Sequence, residues 1–170
     1  MFFSKLLTVA AALVTASAMP APAPAPRAVS GGVSIVNNLG QDVYVWSVSA
    51  TSSPMMVLPV GGWYTEHWQI NPTGGGISIK LGTSPDGFND VLQFEYTKAG
   101  DVLFWDLSSI DLRADSPLIA AGFDVKIDDA TCPMATCLPG IVDCPDSYQF
   151  PDDHNTRACS ANAAWTLTLG

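Results

Sequence analysis

Residues 91–112 read VLQFEYTKAGDVLFWDLSSIDL and carry the clearest structural pattern in the chain. From Val91 to Thr97 the side chains alternate, with Leu92, Phe94 and Tyr96 on one face and Gln93, Glu95 and Thr97 on the other. A period of two marks a strand with one dry face and one wet face. Lys98-Ala99-Gly100-Asp101 predicts a turn, with Gly100 free to take a positive φ. Val102 to Leu107 is then apolar except for Asp106. A carboxylate in such a strand must lie at its rim, find hydrogen-bond partners or carry a raised pKa. Folded as a hairpin, the stretch gathers Glu95, Asp106 and Asp111 toward one edge of a sheet. Acids on the wet face of a sheet are ordinarily solvated charge. Asp106 is the one that description explains least.

The flanking segments repeat the pattern of short strands punctuated by turns. VSIV (33–36) predicts a first strand, ended by Asn37-Asn38-Leu39-Gly40, and DVYVWSVS (42–49) a second. Tyr44, Trp46 and Val48 share a face of the second. Alternate aromatics can stack on sugar rings but more often fill a core, so these are assigned to the core. MMVLPV (55–60), WYTEHWQI (63–70) and GISIKLG (76–82) follow as further strands. In WYTEHWQI, Trp63, Thr65 and His67 oppose Tyr64, Glu66 and Trp68. His67 has no partner at a ligand spacing, which leaves it an ordinary strand residue. The turn Asn71-Pro72-Thr73-Gly74-Gly75-Gly76 resembles a phosphate loop only superficially: no Lys-Ser/Thr and no helix come after it, and phosphate binding is rejected. IAAGFDVKID (119–128) predicts a strand with Phe123, Val125 and Ile127 on its apolar face, and AAWTLTL (163–169) a closing one. With no convincing helix of ten residues, the fold class expected is all-β, a sandwich or flattened barrel.

The amino-terminal segment has a different composition. Residues 1–18 combine a short positive start, the apolar run LLTVAAALVTA and the small-x-small sequence Ala16-Ser17-Ala18, the pattern of a secretory signal peptide. Residues 19–31 begin with an alternating Ala-Pro run and are expected to be a spacer or short pro-segment, leaving 32–170 as one domain. All sixteen Asp and Glu but only five of the seven Lys and Arg lie beyond Arg27, so this part carries about −11, against −9 for the whole chain. Such a charge argues against nucleic acid and anionic membranes as partners and suits neutral polymers, cations or basic proteins. An extracellular or cell-wall-associated monomer is expected.

From Thr131 the character changes again. Cys132, Cys137, Cys144 and Cys159 fall in the last forty residues, interspersed with Pro133, Pro139, Pro145 and Pro151. In an exported chain four cysteines imply two disulfides with three possible connectivities, of which the nested one, Cys132–Cys159 with Cys137–Cys144, is one. Their spacing matches no common zinc site, and no metal or other cofactor is expected. Asp152-Asp153-His154 is a possible cation contact but reads as a solvated loop. With no G-x-S-x-G and two histidines, no nucleophilic triad can be assembled. Paired-carboxylate chemistry, as in glycoside hydrolysis, is the catalysis this composition supports.

Taken together, VSIVNNLGQDVYVW, the glycine-rich turn before GISIKLG, FEYTKAGDVLFWDLSSIDL, GFDVKI and the C-x4-C-x6-CP spacing at 132–145 resemble the thaumatin-like proteins. The resemblance is to the small fungal group of antigenic or yeast-phase-specific members, over about residues 32–170. It implies a β-sandwich with a cysteine-stapled loop region beside it. Plant members carry an acidic cleft of one arginine, one glutamate and three aspartates. Glu95 matches the glutamate, Asp106 and Asp111 the first two aspartates, and Lys80 stands at the arginine position. Asp152 and Asp153 are candidates for the last aspartate. The resemblance implies a ligand-binding cleft of Lys80, Glu95, Asp106 and Asp111. The function expected is a secreted, non-enzymatic protein that binds β-glucan or a related polysaccharide. The alternatives are a β-1,3-glucanase using Glu95 and Asp106, and an effector acting on another organism's proteins.

Overall fold

The computed structural model describes residues 29–170. The expected signal peptide and most of the expected spacer lie outside the described residues. Two sheets face each other. The first contains β1 (Gly32–Asn37), β4 (Trp63–His67), β8 (Phe123–Ile127), β9 (Ala135–Cys137) and β11 (Ala164–Leu169), in the order β4-β1-β11-β8-β9. The second contains β2 (Val43–Val48), β3 (Met56–Leu58), β5 (Ile77–Gly82), β6 (Val91–Ala99), β7 (Val102–Ser108) and β10 (Arg157–Ser160), in the order β10-β7-β6-β5-β2-β3. Every neighbouring pair is antiparallel except β1 and β11, which run parallel with Gly32 opposite Ala164. The all-β sandwich expected from alternation is the fold observed.

The alternation in β6 and β7 places Leu92, Phe94, Tyr96, Leu103, Trp105 and Leu107 in the space between the sheets, where all are essentially inaccessible. Val33, Ile35, Trp165 and Leu167 meet them from the first sheet. Removing each such side chain from water contributes roughly 1.5–3 kcal/mol. Trp165 sits edge-on to both Trp105 and Phe94, at ring-centroid distances of 5.1 and 6.4 Å, and Trp68 packs edge-on to Trp165 at 5.6 Å. This aromatic centre makes the second sheet a firm floor for whatever lies on its outer face.

Two polar clamps join the sheets at their ends. The buried Glu66 on β4 accepts a hydrogen bond from Tyr64 Oη on one oxygen and from Tyr96 Oη on the other, each at 2.6 Å. Burial first, and then the bonds to Glu66, push both phenols above their ordinary range. Asn37 donates to the carbonyls of Gln41 and Leu58 at 2.9 and 3.0 Å and accepts from the Leu39 amide at 2.9 Å. Glu66 and Asn37 therefore both have partners, which is the condition for such side chains in a core.

Three local expectations need correction. Residues 119–121 are not strand: Pro117–Ala121 forms a short helix, α1, capped by Ser116, whose side chain accepts from the Leu118 amide. Gly122 ends it at φ 77°, where a Cβ would lie 2.7 Å from the Cys137 carbonyl oxygen. Tyr44, Trp46 and Val48 share a face, but it is the outer one; the core takes Val43 and Val45. Trp46 is buried instead by Phe88 from the 83–90 loop, edge-on at 5.3 Å. Lastly, β9 and β10 lie in the cysteine-rich region that composition alone presents as loop. The turn between β6 and β7 is as expected, with Gly100 at φ 62°.

The nested disulfides are present: Cys132–Cys159 and Cys137–Cys144, each with Cα atoms 5.5 Å apart. The first fastens the segment after β8 to β10, and thereby the stapled region to the second sheet.

Candidate functional site

Antiparallel register assembles the outer face of the second sheet in rows. Trp46 lies opposite Lys80, Lys80 opposite Gln93, and Gln93 opposite Ser108. One step along, Val48 lies opposite Ser78, Ser78 opposite Glu95, and Glu95 opposite Asp106. The next step on β6 and β7 pairs Thr97 with Phe104. Because strand side chains repeat every two residues, all of these project to the same side.

The first row is a closed network. Gln93 Oε1 accepts from the Lys80 ammonium and from Ser78 Oγ, the latter at 3.1 Å. Gln93 Nε2 donates to Ser108 Oγ and to Asp111 Oδ2, both at 3.3 Å. Lys80 Nζ lies 4.0 Å from Asp111 Oδ2 and 5.4 Å from the Phe88 ring centroid. The lysine is thus committed to an amide, a carboxylate and an aromatic face, and only 15 % of its side chain is exposed.

The second and third rows form the floor of a cleft of about 460 Å³. Val48 of β2 and the following Ser49 line it, with Gly76 just before β5, Ile77 and Ser78 of β5, and Glu95, Tyr96 and Thr97 of β6. Phe104 and Asp106 line it from β7, and Thr156 from the residue before β10. Hydroxyls from Ser49, Ser78, Thr97 and Thr156 therefore surround the two carboxyls. Phe104, 44 % exposed, presents an aromatic surface beside them. Of the sequence-predicted residues, Glu95 and Asp106 line this cavity, whereas Lys80 and Asp111 lie in the adjoining row.

Asp106 is the perturbed carboxyl of the cleft. Burial, followed by the neighbouring Glu95 charge, pushes its carboxyl up to about 7, with Arg157 pulling the other way. Its Oδ1 is buried and receives no hydrogen bond. This is the raised-pKa outcome that an acid in an apolar strand anticipates. Arg157, on the adjacent β10, pairs with Asp146 rather than with Asp106. Its guanidinium donates to Asp146 Oδ1 at 2.7 Å and to the carbonyls of Asp146 and Asn155, and it lies 5.3 Å from the Trp105 ring centroid.

Asp153 serves the chain itself, accepting from the Gln149 and Phe150 amides at 2.6 and 2.9 Å; those two bonds hold its carboxyl below the usual range. Neither it nor Asp152 lines the cleft. His67 is an exposed residue at the end of β4. Among the described residues one grouping of potential metal ligands occurs, Asp129 with Cys132 and Cys159, but its two sulfurs are bonded to each other. No described helix is long and apolar enough to cross a membrane.

Sequence reasoning missed Gln93, Phe104, Phe88, Thr156 and Arg157. The first two were available from alternation, since they share faces with Glu95 and Asp106. The others reach the site from loops and a later strand, which no local pattern reveals.

Residues 21–170 match the family model of the Blastomyces yeast-phase-specific protein. The chain is 67 % identical over 170 residues to the secreted thaumatin-like protein calA of Emericella nidulans, covering all of this chain and 98 % of that one. It is 38 % identical over 164 residues to an antigenic thaumatin-like protein of Arthroderma benhamiae, covering 93 % and 81 % of the two. Among solved structures, the protein elicitor MoHrip2 of Magnaporthe oryzae superposes with a TM-score of 0.67 at 20 % identity, over 82 % of this chain and 98 % of that one. The thaumatin-like xylanase inhibitor TLXI does so with a TM-score of 0.53 at 9 % identity, over 80 % and 97 %. These two likenesses concern the fold. The sequence matches go further: the chain belongs to the Blastomyces yeast-phase-specific family of thaumatin-like proteins.

Proposed function

We propose that this is a secreted, non-enzymatic fungal protein that binds β-glucan or a related neutral polysaccharide in the Glu95–Asp106 cleft. The observation that carries the reading is the composition of that cleft: two carboxyls and four hydroxyls for sugar hydroxyls, with the exposed Phe104 ring beside them. Sugar rings present apolar faces and polar edges, so an aromatic surface flanked by hydrogen-bonding groups matches them. A relative named as secreted and the signal-peptide pattern of residues 1–18 support export. The antigenic relative is in keeping with a protein met outside the cell.

Binding is favoured over hydrolysis by the placement of the carboxyls. A glycosidase needs its two acids about 5–9.5 Å apart and flanking the scissile bond. Glu95 and Asp106 are cross-strand partners that rise side by side from one floor, so neither lies across a bound chain from the other.

The test is incubation of the mature protein with insoluble β-1,3-glucan and with laminarin, following pull-down and reducing ends together. Retention on the polymer without release of reducing ends, lost in Glu95→Gln, is the expected result. Reducing ends that accumulate with time and vanish in Glu95→Gln would make the protein a glucanase. Absence of both binding and release would remove the glucan reading.

A further inference from the structure

Glu95 and Asp106 face one another directly across β6 and β7, on a cleft floor where no other charged side chain lines the cavity. The groups around them are accounted for. From β5 comes the Ser78 hydroxyl, and Lys80 of that strand is held in the next row by Gln93 and Asp111. From β10 comes Arg157, whose charge acts on Asp106 while its guanidinium hydrogen-bonds Asp146 and Asn155. From the β2 side come Val48 and Ser49, which are uncharged. Asp106 Oδ1 is buried with no hydrogen bond to it, so an ionised Asp106 would hold part of its charge in an unsolvated position beside a second carboxylate. Both circumstances favour keeping one proton on the pair.

We propose that the Glu95–Asp106 pair works with one proton between its two carboxyls, so that the cleft takes an uncharged, hydroxyl-bearing ligand at acid pH and gives it up above neutrality. This rests on the polysaccharide reading of the same cleft and adds its regulation. A singly protonated pair offers a donor on Asp106 and an acceptor on Glu95, which is what two neighbouring sugar hydroxyls require. The doubly ionised pair offers acceptors only. It also holds its water more tightly, and a neutral ligand must displace that water without supplying a counter-charge. The shared proton leaves near pH 7, the value to which burial and Glu95 raise Asp106.

The experiment is calorimetric binding of laminarin oligosaccharides to the wild-type protein and to Asp106→Asn from pH 5 to 8.5. Carboxyl 13C NMR of Asp106 in the free protein is recorded alongside. With a group titrating near pH 7, about 3 % of the pair retains the proton at pH 8.5, so wild-type affinity is expected to fall roughly 30-fold. The midpoint should coincide with the Asp106 resonance. Asp106→Asn keeps an amide donor at every pH, and its affinity, whatever its value, is expected to stay constant over the range. Wild-type binding that is flat with pH, or a step that persists in Asp106→Asn, would overturn the inference while leaving the polysaccharide reading in place. Absence of binding at every pH would overturn that reading, and this inference with it.

Discussion

Replacing Asp106 by asparagine should make the protein more resistant to unfolding at alkaline pH and leave it nearly unchanged in acid. The carboxyl is raised from 3.8 to about 7 in the folded state, with burial as the first cause and Glu95 as the second. A folded-state pKa above the unfolded one means that the native protein holds its proton more tightly. The associated stability is present in full below about pH 4 and is lost as pH rises through 7. At about 1.4 kcal/mol per pKa unit the whole shift corresponds to roughly 4 kcal/mol. Partial solvent access to the side chain reduces this to about 2 kcal/mol. Urea unfolding of wild type and Asp106→Asn at pH 4 and pH 8 measures the difference. The variant should gain about 2 kcal/mol relative to wild type between the two pH values, with m-values unchanged. An identical difference at both pH values would show that Asp106 titrates as an ordinary surface acid, and the electrostatic description of the cleft would fall.

Phe104→Ala should weaken laminarin binding about tenfold, through loss of the aromatic surface, while Tm changes little because the ring is already half-exposed; undiminished calorimetric affinity would exclude it from the ligand surface. Tyr96→Phe leaves the buried Glu66 carboxylate with a single phenol donor and should cost about 1.5–3 kcal/mol, measured by urea unfolding at neutral pH. A loss below about 0.5 kcal/mol would mean that water replaces the tyrosine there. Replacing Cys132 and Cys159 together by serine opens a 27-residue separation and should cost about 3–4 kcal/mol by chain entropy, read in the same assay. Thiol titration of the unfolded wild-type protein without reductant should find no free thiol.

The strands that build the cleft were legible because each has one dry and one wet face. In β6 and β7, alternation together with a glycine-containing turn is enough to set Glu95 opposite Asp106. The same rule misplaced Tyr44 and Trp46, since a large aromatic on a strand says that something covers it but not which side. Here the cover is Phe88, delivered by a loop. A short apolar run such as 119–121 serves helix and strand alike. The deciding signals were at its ends, Ser116-Pro117 before it and Gly122 after it. β9 and β10 give no sequence signal because three- and four-residue strands carry too little periodicity, and disulfides and edge pairing hold them. Arg157 and Thr156 could not be placed at the cleft until β10 was placed beside β7.

The parallel pairing of β1 with β11 bears on how the chain reaches its folded state. Five of the six strands in the second sheet, β2, β3, β5, β6 and β7, precede residue 109, and the β6–β7 hairpin closes through a two-residue turn. The first sheet has its centre where residue 32 meets residue 164, so it cannot be completed until the carboxy-terminal strand arrives. Closing so long a loop slows folding. A chain emerging gradually from a ribosome or a translocation pore would therefore keep its aromatic centre uncovered on one side until β11 is free, because Trp165 belongs to that strand. Such an order suits a protein threaded across a membrane unfolded, and it makes the tryptophan fluorescence of refolding a report on the last step of assembly.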